Sequence, residues 1–214
     1  MINVIENTIS IENIEIAYTF IFLILIAIIK TKSSFIFSNY IKAMFYTKKL
    51  NNIVKDESFS ILNIILLVMS MSIMAITLGL YYGYNIKSEK TLEIFYYILG
   101  LHVFIYFMIK IFAWTFNNKN LGRLASANLF IFNSISGIFV SIPIIATFYV
   151  ESYAVNSLII LSLIILMILY IIRLFRWIII LFYNRVSIFY MILYLCALEI
   201  VPLLTVYKLL LAKN

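Results

Sequence analysis

Histidine, cysteine and aspartate are nearly missing from this chain. Its 214 residues include one histidine, one cysteine and a single aspartate, Asp56. A lone histidine excludes bis-histidine haem ligation within the chain and zinc sites built on paired histidines. A lone aspartate excludes multi-aspartate magnesium sites and a paired-aspartate intramembrane protease. Cys196 has no partner for an internal disulfide and stands inside an apolar run. There is no glycine-rich phosphate loop, and five glycines and two prolines make no flexible linker. These absences argue against an enzyme and imply no cofactor or metal. Charge is also scarce. Only 12% of residues are charged, against about 25% in soluble domains, so the chain cannot clothe a core for water.

What is present is apolar surface. Hydrophobic residues make up 65% of the chain, aromatic residues 17%, and the mean hydropathy is +1.10. The net charge is +7, but the basic residues fall between apolar runs instead of forming one folded face. That arrangement serves membrane orientation and excludes nucleic acid as the expected partner.

A membrane span needs about 20 mostly apolar residues to cross about 30 Å of hydrocarbon. Six runs qualify: Ile14–Ile29, Phe59–Leu80, Ile94–Ala113, Leu129–Val150, Val155–Ile172 and Val186–Leu211. Strand-type alternation is absent, so the expected fold is all-α, a single polytopic transmembrane helical bundle. Lys30, Lys32, Lys42, Lys48, Lys49, Lys55, Lys110, Lys119, Arg123, Arg173, Arg176 and Arg185 fall on one side of these spans. Lys87, Lys90, Lys208 and Lys213 fall on the other. The positive-inside rule makes the first side cytoplasmic and puts both termini outside. Tyr81, Tyr82, Tyr84, Tyr96 and Tyr97 should ring the outer ends, with Trp114 and Trp177 at the inner ones.

The loop between the first two spans carries Phe37, Ile41, Met44 and Phe45 at helical spacing, opposite Lys42, Lys48 and Lys49. This predicts an amphipathic helix over about 34–48 on the cytoplasmic leaflet, with docking of a partner as the alternative. Arg173 and Arg176 follow the fifth span one turn apart. A helix from Val155 brings Arg173 about 27 Å along its axis, near the inner headgroups. There the pair would bind lipid phosphate, or grip a phosphorylated lipid or an acidic subunit.

Two ionisable residues fall deep inside spans. Glu199 lies roughly 20 Å from the start of the last, and His102 roughly 12 Å into the third. Either could be functional, and together they could share a proton if their helices are neighbours. The structural alternative has a neutral Glu199 bonding carbonyls freed by Pro202, and His102 bonded to a serine or a backbone carbonyl. In the fourth span Asn133, Gly137 and Ser141 share one face ahead of Pro143, a second expected helix break. Ala75, Gly79 and Gly83 repeat that spacing in the second. Small residues at this interval read as packing seams, with Asn133 free to add an interhelical or ligand contact.

The terminal run Tyr194-Leu195-Cys196-Ala197-Leu198-Glu199-Ile200-Val201-Pro202-Leu203-Leu204, followed by Lys208, resembles the signature of the membrane family called domain of unknown function 4271. Asn133, Gly137 and Pro143, and the Arg173/Arg176 pair, are similar too, so the resemblance covers essentially the whole chain. It implies a multi-pass protein of the inner membrane of Bacteroidota, with Glu199, Pro202 and Lys208 prominent and no activity attached. His102 is not part of that pattern.

Three functions are open at this point. The first is a non-enzymatic subunit or scaffold of an envelope complex. It would meet other membrane or cytoplasmic subunits, and anionic lipid at its basic face. The second is a small proton-coupled transporter or channel using Glu199. The third is an intramembrane lipid-handling enzyme using Arg173, Arg176 and Glu199.

Overall fold

The computed structural model describes residues 21–24, 27, 34–46, 50, 61–84, 88–115, 117–150, 152–184 and 186. Among these there is no strand. The elements are α1 (Ser34–Phe45), α2 (Ile61–Tyr81), α3 (Glu89–Thr115), α4 (Lys119–Thr147) and α5 (Ser152–Tyr183). Helices α2 to α5 are long and apolar enough to cross a membrane. The expected sixth span, and most of the first, lie outside the described residues.

Local chemistry sets where each helix stops. Helix α2 ends at Gly83, whose φ of 76° is the left-handed conformation that a glycine adopts freely. The Gly83 N–H donates to the Leu80 carbonyl (3.0 Å) and the Tyr84 N–H to the Gly79 carbonyl (2.8 Å). This is the Schellman pattern, which uses carbonyls that the helix end leaves free. Ser88 then caps α3, its Oγ accepting from the Thr91 N–H at 3.2 Å. An asparagine pair makes the next turn. Asn117, at φ 48°, closes α3 in the same way, with Asn117 and Asn118 N–H groups donating to Trp114 and Ala113 carbonyls at 3.0 Å. The Asn118 side chain caps α4 by accepting from the Leu121 N–H at 3.0 Å.

Packing contacts fix the topology. Gly79 of α2 meets Thr91 of α3 at one end of the bundle, and Ala113 of α3 meets Gly122 of α4 at the other. Ile73 and Ile76 of α2 pack with Val140 and Ile144 of α4, joined by Phe22. At the opposite end Leu121, Leu124 and Ile131 of α4 pack with Trp177, Ile180 and Leu181 of α5 and with Tyr40, Ala43 and Met44 of α1. Successive spans therefore run antiparallel. Helix α4 is the buried axis, while α3 and α5 turn most of their length outward. Lys110, Lys119, Arg123, Arg173 and Arg176 gather at the α1 end, which we call the basic end; Glu89 and Lys90 mark the other.

Several boundaries differ from expectation. Helix α4 starts at Lys119, ten residues ahead of the apolar run, because the Asn118 cap and the packed Leu121, Leu124 and Ala125 carry it through polar sequence. Pro143 does not break it. The proline is buried inside α4, which continues to Thr147, since losing one backbone donor is tolerable when neighbouring turns remain packed. Helix α5 runs 32 residues through both arginines to Tyr183, about 48 Å. Trp177, expected at the interface, is 1% exposed within the core, whereas Trp114 is 84% exposed.

Candidate functional site

Two sites emerge at different depths. The first lies at the basic end, where α5 meets α1. Arg176 is 3% exposed. Its Nη2 donates to the Ala43 carbonyl at 3.1 Å and its Nη1 to the Phe45 carbonyl at 3.2 Å. These carbonyls belong to the last turn of α1, where a helix lacks internal donors and its dipole is negative. The guanidinium fork thus caps the amphipathic helix and ties it to α5. This corrects the placement of Arg176 at lipid phosphate: the group points inward, and its fork is committed to backbone oxygens. Arg173 is also buried, with its guanidinium 5.6 Å from the Tyr170 ring centroid.

The orientation of α1 is likewise different from the lipid-surface expectation. Tyr40, Ala43 and Met44, spaced i, i+3, i+4, face the bundle, and Ile41 packs at their edge. Tyr40 meets Phe130 of α4 edge-on at 6.3 Å. Phe45, expected on the apolar face, is exposed together with Lys42 and Tyr46. The helix is therefore seated on protein and offers a mixed basic and aromatic outer face.

The second site is a cavity of about 210 Å³ between α2, α3 and α4. Its walls are mostly apolar, among them Leu67, Met71, Leu99, Leu129 and Phe130, with His102, Ser126 and Asn133 as polar members. His102 lies midway along α3 and Asn133 midway along α4. His102 Nδ1 donates to the Ile98 carbonyl one turn earlier, at 2.7 Å. A carbonyl can only accept, so the proton sits on Nδ1, and in the neutral ring Nε2 is an acceptor. Ser126 Oγ donates to the Gly122 carbonyl at 2.9 Å. Asn133 is different: it is 5% exposed, and its Nδ2 has no hydrogen-bond partner. Asn128 Nδ2 and Ser134 Oγ are also buried without one. A buried unsatisfied amide costs about 1–3 kcal/mol.

The expected packing seams separate into two kinds. A Cβ on Gly137 would overlap Ser70 of α2, coming within 2.5 Å of its Cα, and one on Gly79 would lie 2.7 Å from Thr91 Oγ1. Both glycines allow close helix crossings. Ala75 is buried on the inner face of α2, and Ser141 is buried with Oγ donating to its own Ile138 carbonyl at 2.7 Å. Gly83 is no seam. It is exposed, a Cβ there would meet nothing within 4 Å, and its role is to end α2. Glu199, Pro202 and Lys208 lie outside the described residues, and so does any meeting of Glu199 with His102. Ser126 was missed by sequence reasoning, though it stands two turns before Asn133 and extends the Asn133/Gly137/Ser141 face backward. Asn128 and Ser134 gave no signal, because they fall on other faces of α4.

An all-helical bundle with four described spans and a capped helix seated at one end defines a polytopic membrane protein. Within that class the chain belongs to the family of domain of unknown function 4271 (DUF4271), whose profile matches residues 16–210. No curated protein and no solved structure matches it.

Proposed function

We propose that this protein is a non-enzymatic, multi-pass subunit of an inner-membrane assembly, with its basic end in the cytoplasm, both termini outside, and α1 as a fixed docking platform. The observation that carries this reading is the Arg176 clamp on the carbonyls of Ala43 and Phe45. An amphipathic helix that only rests on lipid needs no such tie, whereas a platform for another subunit benefits from fixed orientation, because less freedom is lost on docking. Its outer face presents Lys42, Phe45 and Tyr46, and Lys119 and Arg123 of α4 are exposed at the same basic end. That chemistry suits an acidic protein surface with an aromatic contact, bordered by anionic lipid. Purification in mild detergent followed by mass spectrometry tests the reading. A stoichiometric partner, lost on Lys42→Glu together with Tyr46→Ala, is expected. A monodisperse chain without a partner contradicts it.

The cavity at mid-span favours a second reading, proton-coupled transport through His102 and Glu199. Proton flux in liposomes that persisted unchanged in both His102→Phe and Glu199→Gln would exclude it.

A further inference from the structure

The cavity between α2, α3 and α4 leads into positive charge at one end. Its lining runs along α3 from Leu99 through Val103 to Tyr106, and along α4 from Asn133 through Phe130 to Ser126. Both series head toward the basic end, and one turn further on each of them stands a cation. Lys110 follows Tyr106 and Arg123 precedes Ser126, each at the spacing that keeps it on the same helix face. Both are exposed, and Lys110 Nζ lies 5.2 Å from the Tyr106 ring centroid. The acids among the described residues, Glu89 and Glu93, stand at the far end of α3, about 25 Å or more from Lys110 along the helix. The space itself presents an almost wholly apolar surface. Ser126 Oγ is spent on the Gly122 carbonyl, and His102 Nε2 and Asn133 Nδ2 are fully buried. Access comes from the side. Val68 of α2 and Val103 and Tyr106 of α3 line the cavity and are exposed, and on spanning helices that side is hydrocarbon.

We propose that this cleft holds one acyl chain of an anionic phospholipid from the basic-end leaflet, with the lipid phosphate bound by Lys110 and Arg123. Depth and size fit such a ligand. From Lys110 to Leu99 is about 16 Å along α3, close to one leaflet of a hydrocarbon core about 30 Å thick. A lysine at that level lays its stem on apolar surface and extends its ammonium to the headgroups. A chain descending from a phosphate at Lys110 therefore passes Tyr106 and Val103 and ends near Leu99. An apolar cavity of about 150 Å³ accommodates benzene, so about 210 Å³ takes about eight carbons of an acyl chain. Charge selects the headgroup. Two cations favour a lipid of net negative charge over a zwitterionic one, whose own ammonium would sit against them. The site is separate from the α1 platform and needs no docked partner.

The test uses the full chain, delipidated in mild detergent and titrated with phosphatidylglycerol or phosphatidylethanolamine of identical chains, with bound lipid counted by native mass spectrometry. One saturable phosphatidylglycerol per chain is expected, held more tightly than phosphatidylethanolamine. Lys110→Gln should weaken it about fivefold, and Lys110→Gln with Arg123→Gln about thirtyfold, as for one and two cations near a lipid surface. Lys42→Gln, at an exposed position of α1, which packs on α4 and α5, should change nothing. Val103→Trp, or Val68→Trp at the opposite lip, should remove the bound lipid while circular dichroism shows the helices retained. Glycerol phosphate, a headgroup without chains, should not compete. Equal affinity for the two lipids overturns the proposal, as does a loss at Lys42 as large as that at Lys110. Binding that keeps its affinity in both tryptophan variants, or that yields to glycerol phosphate, also overturns it, because the cleft then holds no chain. So does the absence of any saturable lipid.

Discussion

Replacing Arg176 by methionine keeps most of the apolar stem and removes the fork that caps α1. A hydrogen bond to a charged group contributes about 1.5–3 kcal/mol, and Arg176 makes two to the last turn of α1, at 3.1 and 3.2 Å. The helix dipole adds up to about 2 kcal/mol in a partly buried setting. Against this, the guanidinium no longer has to be desolvated, and the freed carbonyls can turn to interfacial water. The net loss should be about 3 kcal/mol, or roughly a hundredfold more frequent opening of α1. Amide hydrogen exchange in nanodiscs reads this directly. The amides of Tyr40 to Phe45 should exchange far faster in Arg176→Met, while those of Val140 to Ile144 stay protected. Arg176→Lys should fall between, because one ammonium cannot reproduce two forked donors. Unchanged exchange in α1 would refute the clamp. A uniform rise across α4 and α5 would show that Arg176 supports the whole bundle instead.

Other substitutions separate the remaining roles. Asn133→Leu should leave the thermal unfolding midpoint unchanged or raise it, because it replaces an unsatisfied buried amide with an apolar group of similar size; a clear drop would mean that the amide is structurally required. Gly137→Ala should destabilise by about 1–3 kcal/mol, since the overlap is with backbone-proximal atoms of Ser70 that cannot swing away. Gly83→Ala should cost about 1–2 kcal/mol from its left-handed backbone alone, and Gly100→Ala, where a Cβ meets nothing within 4 Å, should gain up to about 1 kcal/mol. Denaturation midpoints that did not rank Gly100→Ala above both others would contradict these assignments.

The spans were legible because lipid-facing helices must be apolar along their length, and α2, α3 and α5 announce themselves that way. The start of α4 was not. Lys119, Asn120, Arg123, Ser126 and Asn128 dilute the hydropathy, and only the asparagine pair at 117 and 118 hints at one helix ending and another beginning. Gly83 looked like the third member of a packing series since spacing alone does not reveal a positive φ; the tyrosines around it were the better clue that α2 was ending. The Arg176 clamp was hidden for a different reason. Its acceptors are backbone carbonyls 131 and 133 positions away, and a carbonyl has no signature in sequence. Asn133 was singled out by its face on α4, and His102 by its depth. Their shared cavity depends on the crossing of three helices, set by contacts such as Gly137 on Ser70.

The subunit role turns on whether the outer face of α1 meets protein. A photo-crosslinking amino acid placed at Tyr46, with another at the outward-facing Met167 of α5 as control, should be irradiated in native membranes. The platform reading predicts a discrete protein adduct from position 46, weakened by Arg176→Met, and none from position 167. Adducts from 167 alone, or lipid adducts only from both, would contradict it.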